Sequence, residues 1–354
     1  RAWRRRRPVK AVGMRAVRVV PNPARRHSSG MAHGAGRPPP IDMLFYAPDN
    51  HCRMKQVKPR HPAAFNVGLL KRKLDELYRT YDRSFLNSDP LLFPHRYADA
   101  RDAEVVAFLA SALAYGSVVT IKKDVERVLA VLGPRPHDAV LSRDPEALLA
   151  ELAGFKHRFT TARHLTWLLH VIKQGLAEFG SLEKLFLAGY RPDAPNTKEA
   201  LTAFVEQLVG YAPSPVYPGP RAVRSDGALF LLPSPKTGAA CKRLNLFLRW
   251  VVRRDDDLDL GLWKSVSPSK LVIPLDTHVA RISRAIGLTT RRSSDWKAAE
   301  DITNTLSALD PADPLKYDFA ITRLGILGDC VADARNSKCD DCALADICVR
   351  VREP

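Results

Sequence analysis

The sequence is poor in several things, and each shortage excludes something. Only four methionines and six cysteines occur among 354 residues, and aromatic residues make up 8%. No stretch supplies the ~20 predominantly apolar residues that a membrane-spanning helix needs. One uncharged run, Val105 to Ile121, lies between Glu104 and Lys122, but it contains Ser111, Gly116, Ser117 and Thr120. It reads as a buried core helix. No secretory signal is legible, so a disulfide framework is not expected. Sustained alternation of apolar and polar residues is missing, which argues against an extensive sheet, and no internal repeat stands out. With 45% hydrophobic and 26% charged residues, the chain is neither collagen, nor a coiled-coil rod, nor wholly disordered.

Acidic residues are scarce in one place. Residues 1–60 hold 15 Lys/Arg against Asp42 and Asp49, a net of +13 out of the formal +17. The remaining 294 residues carry 40 bases and 36 acids, a net of only +4. The same 60 residues include eight prolines, the run Arg4-Arg5-Arg6-Arg7 and the triplet Pro38-Pro39-Pro40. Such a stretch cannot bury enough apolar surface to offset its ordering entropy, so residues 1–63 are expected to be a disordered basic, Pro-rich tail. It reads as a nucleic-acid arm, as an organelle transit peptide, or as sequence partly foreign to the native protein, the last being the expectation adopted. Net charge therefore says little about the rest of the chain.

Beyond the tail, helical periodicity is present almost throughout. Leu69, Leu70, Leu74, Leu77 and Tyr81 recur at helix spacing, and Val105, Phe108, Leu109, Ala112 and Leu113 make a broad apolar face. Further amphipathic runs are expected near 118–132, 145–153, 161–179, 197–211, 239–254, 276–287, 294–308 and 314–327. Asp144-Pro145 and Asp313-Pro314 mark starts, and Gly133, Gly180 and Gly287 mark stops. The segment 212–236, with six prolines, reads as a mostly non-helical connector. The fold class is all-α.

Four of the cysteines, Cys330, Cys339, Cys342 and Cys348, form the pattern C-x8-C-x2-C-x5-C near the end of the chain. Four clustered thiols around a Cys-x-x-Cys centre read as a metal site, and both zinc and a [4Fe-4S] cluster accept four thiolates. A structural zinc site usually has two tight Cys pairs. Only one is present here, so the wider flanking intervals favour the bulkier cluster.

Two further segments carry chemistry. In Gly238-Ala-Ala-Cys-Lys242-Arg-Leu-Asn245-Leu-Phe-Leu-Arg-Trp250, a turn runs into a helix whose first amides can hold a phosphate. In Ile273-Pro-Leu-Asp276-Thr-His-Val-Ala-Arg281-Ile, Asp276 is placed to cap a helix whose Val279, Ile282 and Ile286 face the core. Phe155-Lys-His-Arg158-Phe159 interleaves bases with aromatics, as a nucleic-acid surface or a helix-joining loop would.

These segments and the terminal cysteines resemble the HhH-GPD superfamily of DNA glycosylases, particularly endonuclease III, and within it a bacterial branch. Glu104-Val-Val-Ala-Phe-Leu-Ala-Ser-Ala is similar to that superfamily's first barrel helix, so the resemblance spans about 100–350. It departs from the family pattern at Ala240, which stands in place of the hairpin's second glycine, and at Pro-Ser-Pro in place of Pro-Gly. Lys242 and Asp276 are also 34 positions apart, the segment Arg253 to Trp263 filling the difference, and the first cysteine interval is x8 rather than x6.

The resemblance implies a helix-hairpin-helix glycosylase fold. Residues 64–100 would join a C-terminal cluster domain, 101–270 would form a helical barrel with the hairpin near 232–254, and 271–354 would carry the aspartate helix and the four-cysteine cluster. It implies Lys242 as nucleophile, Asp276 as catalytic carboxylate, and Cys330, Cys339, Cys342 and Cys348 as ligands of [4Fe-4S], with zinc as the alternative. Gly238, Arg243, Lys156, Arg158 and Arg281 are the candidate DNA contacts. The activity implied is base-excision N-glycosylase, with AP-lyase action if Lys242 is desolvated. The substrate would be duplex DNA carrying a damaged or mismatched base. The protein would be a cytoplasmic, nucleoid-associated monomer away from membranes. The competing expectation is a nucleic-acid-binding protein that keeps the fold and cluster without the chemistry.

Overall fold

A computed structural model describes residues 66–254 and 256–351. The basic tail lies outside the described residues. The described part is predominantly helical. Its helices are α1 (Val67–Thr80), α2 (Ala100–Ala112), α3 (Val118–Leu132), α4 (Pro136–Ser142), α5 (Pro145–Glu151), α6 (Ala162–Phe179), α7 (Leu182–Leu187), α8 (Lys198–Gly210), α9 (Pro220–Ser225), α10 (Lys242–Val252), α11 (Thr277–Ala285), α12 (Trp296–Ser307) and α13 (Asp318–Ile326). A two-stranded hairpin, β1 (Lys156–His157) with β2 (Thr160–Thr161), joins α5 to α6. No helix among the described residues is long and apolar enough to cross a membrane.

The uncharged run resolves into α2, a break at Gly116 with φ 95°, and the start of α3. Every residue of α2 from Asp102 to Ala112 is buried. That makes α2 the central helix, packed against α10, α3 and α4. Its buried Glu104 accepts from the Leu182 and Glu183 amides and from the Trp263 indole, and so caps α7 with a carboxylate instead of facing solvent. A second set of contacts brings α1 and α11 against α13.

The capping signals read from the sequence work where the capping side chain is available. Asp144 accepts from the Glu146 and Ala147 amides and starts α5, and Gly180 ends α6 in the left-handed region. Asp313-Pro314 does not start a helix. Residues 314–317 form turns, and α13 begins at Asp318. The reason is that Asp313 is held in a chelate with the Arg253 guanidinium at 2.8–3.0 Å and is not free to cap. The connector 212–236 is also less irregular than its prolines imply, since Pro220 opens α9 at its first position.

Candidate functional site

Two helix starts create the site. Before α10, a short turn, Pro235–Thr237, ends at Gly238 with φ 85°, and Cys241 takes a left-handed φ of 49° immediately ahead of Lys242. Ala240 is not among the positive-φ residues, so the backbone at that position does not call for glycine. The Asn245 side-chain amide donates to the Ala240 carbonyl at 3.0 Å and closes the turn, and the Cys241 thiol is buried against the Pro233 and Ala239 carbonyls. Lys242 is therefore the first residue of α10, at the surface end of a helix whose other ten residues are all buried.

Asp276 caps α11. Its Oδ1 accepts from both the His278 and Val279 amides at 2.9 Å, which leaves Oδ2 outside the cap. Oδ2 lies 3.9 Å from Lys242 Nζ, with the two side chains 16% and 30% exposed. Lys242 Nζ also donates to the Ala114 carbonyl at the end of α2, at 2.9 Å. Residues 34 positions apart thus meet at one point, across three elements. Below them, α13 passes close under α11. A Cβ on Gly325 would lie 2.6 Å from His278 Cβ, so only glycine lets His278 seat there. Burial pushes the His278 imidazole below its ordinary range.

Sequence reasoning did not identify the wall beside Lys242. Tyr115 follows Ala114, and its ring packs edge-on against Phe230, 5.0 Å between centroids, with Phe230 in turn 6.2 Å from Phe159. The Tyr115 hydroxyl donates to the His157 carbonyl at 2.8 Å, and the His157 ring bridges Asp124 and the Tyr115 carbonyl at 2.6 and 2.9 Å. The β1–β2 hairpin is thereby fixed to the end of α2. Its tip is Arg158, with φ 51°, and Phe159, 43% exposed. The Tyr115-Gly116 break in an otherwise apolar helix was the available signal for this wall.

The candidate DNA contacts divide. Lys156 and Arg158 are exposed on the hairpin, and Gly238 is exposed on the turn before α10. Arg243 is buried. Its guanidinium donates to the Ala112 and Phe230 carbonyls and lies 4.0 Å from the Phe230 ring centroid, and burial lowers it to about 10. It holds α2 to the connector. Arg281 reaches the Cys330 carbonyl at 2.5 Å and so ties the Asp276 helix to the cysteine segment.

The four cysteines are half-buried, and none is in a disulfide. Burial pushes the Cys342 and Cys348 thiols up, and the charges of Cys330, Cys348 and Cys339 add to the effect on Cys342. Arg350 donates to Cys330 Sγ at 3.3 Å and to the Val331 and Ala332 carbonyls. Among the described residues, no group of three or more His, Cys, Asp or Glu side chains is arranged to hold a metal ion.

The segment Arg253–Trp263 is an internal brace. Asp259 pairs with both Arg249 and Arg253, and Arg249 also pairs with Asp318 of α13 at 2.6 Å, all of them buried. Burial pushes the Asp318 carboxyl up to about 6, with Arg249 only partly offsetting it.

No curated protein and no solved structure matches the chain. One family model does, over residues 89–327, a span that includes Lys242 and Asp276 and ends before Cys330. That span is more than half of the sequence, and the chain therefore belongs to the family described as protein of unknown function (DUF2400).

Proposed function

We propose that this chain is a DNA base-excision N-glycosylase with AP-lyase action through Lys242. The observation that carries the reading is the 3.9 Å approach of Lys242 Nζ to the Asp276 oxygen that capping leaves over. As the bond between sugar C1′ and the base nitrogen breaks, its electron pair leaves with the base and positive charge grows on the sugar. Asp276 Oδ2 is positioned to oppose that charge. Attack by Lys242 on C1′ requires the amine to lose a proton, and Oδ2, 3.9 Å away, accepts it once substrate draws the two side chains into hydrogen-bond reach. Ring opening then gives a Schiff base, and β-elimination expels the 3′ phosphate and nicks the strand. Phe159, 43% exposed at the tip of the β1–β2 hairpin, offers a stacking surface to a base.

The donor set at the end of the chain suits a [4Fe-4S] cluster held by Cys330, Cys339, Cys342 and Cys348. The four thiols are near enough for their charges to act on one another, and the wide x8 and x5 intervals suit a bulky cluster better than a single zinc ion. When bound, the cluster would staple the 330–348 segment, and Arg281 would carry that constraint to α11.

Borohydride reduction on abasic or damaged duplex tests the reading. A covalent protein–DNA adduct is expected, absent in Lys242→Ala. No adduct and no base release across a lesion panel would overturn it in favour of a non-catalytic DNA-binding protein. Anaerobically purified protein is expected to carry iron and acid-labile sulfide; zinc alone would overturn the cluster.

A further inference from the structure

The loop between α11 and α12 lies beside the hairpin. The Trp296 amide donates to the Gly238 carbonyl at 2.9 Å, and Ala239 pairs with Asp295 as an antiparallel bridge. The loop is built around one side chain. Arg284, on α11, donates to the carbonyls of Arg291, Arg292 and Ser293 at 2.8, 3.0 and 2.9 Å, and to the Ser294 hydroxyl at 3.0 Å. Three successive carbonyls are thus drawn toward one guanidinium. The amides of Arg292, Ser293 and Ser294 make no hydrogen bond among the described residues.

The side chains agree with this polarity. Arg292 is exposed and has no acidic partner among the described residues, and neither has Lys297, which is exposed in the first turn of α12. Arg291 reaches Asp295 only at 3.9 Å. Asp295 is otherwise engaged as the cap of α12, accepting from the Ala298 amide, and it takes a bond from the Ser293 hydroxyl. The exposed loop thus presents three main-chain amides and the Arg292 guanidinium with no partner among the described residues, a donor set suited to an anion.

We propose that the Arg291–Ser294 loop is a phosphate clamp that grips the nucleic-acid backbone beside the Gly238 hairpin. Its occupant is a backbone phosphodiester. A contact to phosphate carries no base information, so the loop's contribution is independent of sequence. The proposal rests on the reading that the chain engages DNA, but it does not depend on the chemistry at Lys242.

The test measures binding of the full chain to undamaged duplex by fluorescence anisotropy across a salt series. Neither base release nor trapping enters the readout. Arg292→Ser and the double variant Arg291→Ser/Arg292→Ser change exposed positions. They are expected to weaken binding equally on unrelated sequences and to make the log Kd against log salt slope shallower by about 0.9 for each phosphate no longer neutralised. Arg284→Gln is expected to weaken binding as well, through loss of loop shape. If the slope and affinity of both serine variants match the parent, or if the parent shows no salt-dependent binding, the clamp is overturned. Salt-sensitive binding that falls in these variants, with no adduct or base release anywhere, would uphold the clamp and overturn the glycosylase.

Discussion

The two ends of α10 are opposites. At its start, Lys242 is partly exposed and sits 3.9 Å from a carboxylate, with its nearest hydrogen bond to a main-chain carbonyl. Seven residues on, and again just past its end, Arg249 and Arg253 are about 1% exposed and make paired contacts to Asp259, Asp313, Asp318 and Asp256, at 2.5–3.2 Å. One end is partly open to solvent; the other is closed. A reactive amine must be free to exchange partners, and a helix end can leave it free only if something else fixes the helix. The buried arginines do that for α10, and through Asp318 they attach it to α13, on which α11 and Asp276 rest.

The contrast is broken most severely at the open end. Asp276→Asn keeps a good capping side chain, so helix α11 should survive. In the proposed reaction it removes the charge that opposes the developing cation on the sugar. Single-turnover base release is expected to fall at least ~10²-fold with little change in melting temperature. A comparable collapse of stability would mean that Asp276 is only a cap.

At the closed end the expectation reverses. Arg249→Met leaves Asp259 and Asp318 buried without one of their partners and should cost about 3–5 kcal/mol in urea unfolding. Lys242→Met, on the same helix, should change stability by less than about 1 kcal/mol. Equal costs at the two ends would erase the distinction.

Much of this was legible in the sequence. Helix periodicity located most of the long helices, and the Leu-Asp276-Thr-His segment placed a cap where α11 begins. The brace was not legible. Arg253 to Trp263 stands out in the sequence only as filling the interval between Lys242 and Asp276, because periodicity carries no information about which charges a distant helix will bury. Its signal was Asp259, a lone acid set among Leu258, Leu260, Leu262 and Trp263 just after Arg253-Arg254. Arg243 was misplaced for a related reason. Its neighbour Lys242 is at the surface, but a 100° step around the helix carries Arg243 into the core. The meeting of Lys242 with Ala114 and Asp276 depends on tertiary packing across more than a hundred residues.

Asp318 sharpens the comparison through pH. Burial raises its folded-state value to about 6 from an ordinary 3.8, so between those values the folded chain binds a proton that the unfolded chain does not. This group's contribution therefore favours folding as pH falls from about 6 to 4, opposite in sign to a salt-bridged carboxylate of lowered value such as Asp256. Because Asn cannot titrate, the stability difference between the parent and Asp318→Asn should move in the parent's favour over that window, by up to about 3 kcal/mol. A difference independent of pH would place Asp318 as a fully ionised partner of Arg249.

The smallest expected effect falls where the two regions join. Gly325 sits within α13, where an alanine would ordinarily help the helix by about 1 kcal/mol. Here the added Cβ would meet the Cβ and ring of His278 at 2.6–2.7 Å, too close to be relieved by a flexible chain end. Overpacking of this kind costs about 1–3 kcal/mol, so Gly325→Ala should be neutral to mildly destabilising. Its greater consequence is positional. His278 is two residues from Asp276, and pushing it outward moves the carboxylate relative to Lys242. Base release should therefore fall several-fold more than the small stability change accounts for, with kcat affected more than KM. If activity instead tracks stability alone, α13 supports the site only by keeping the protein folded.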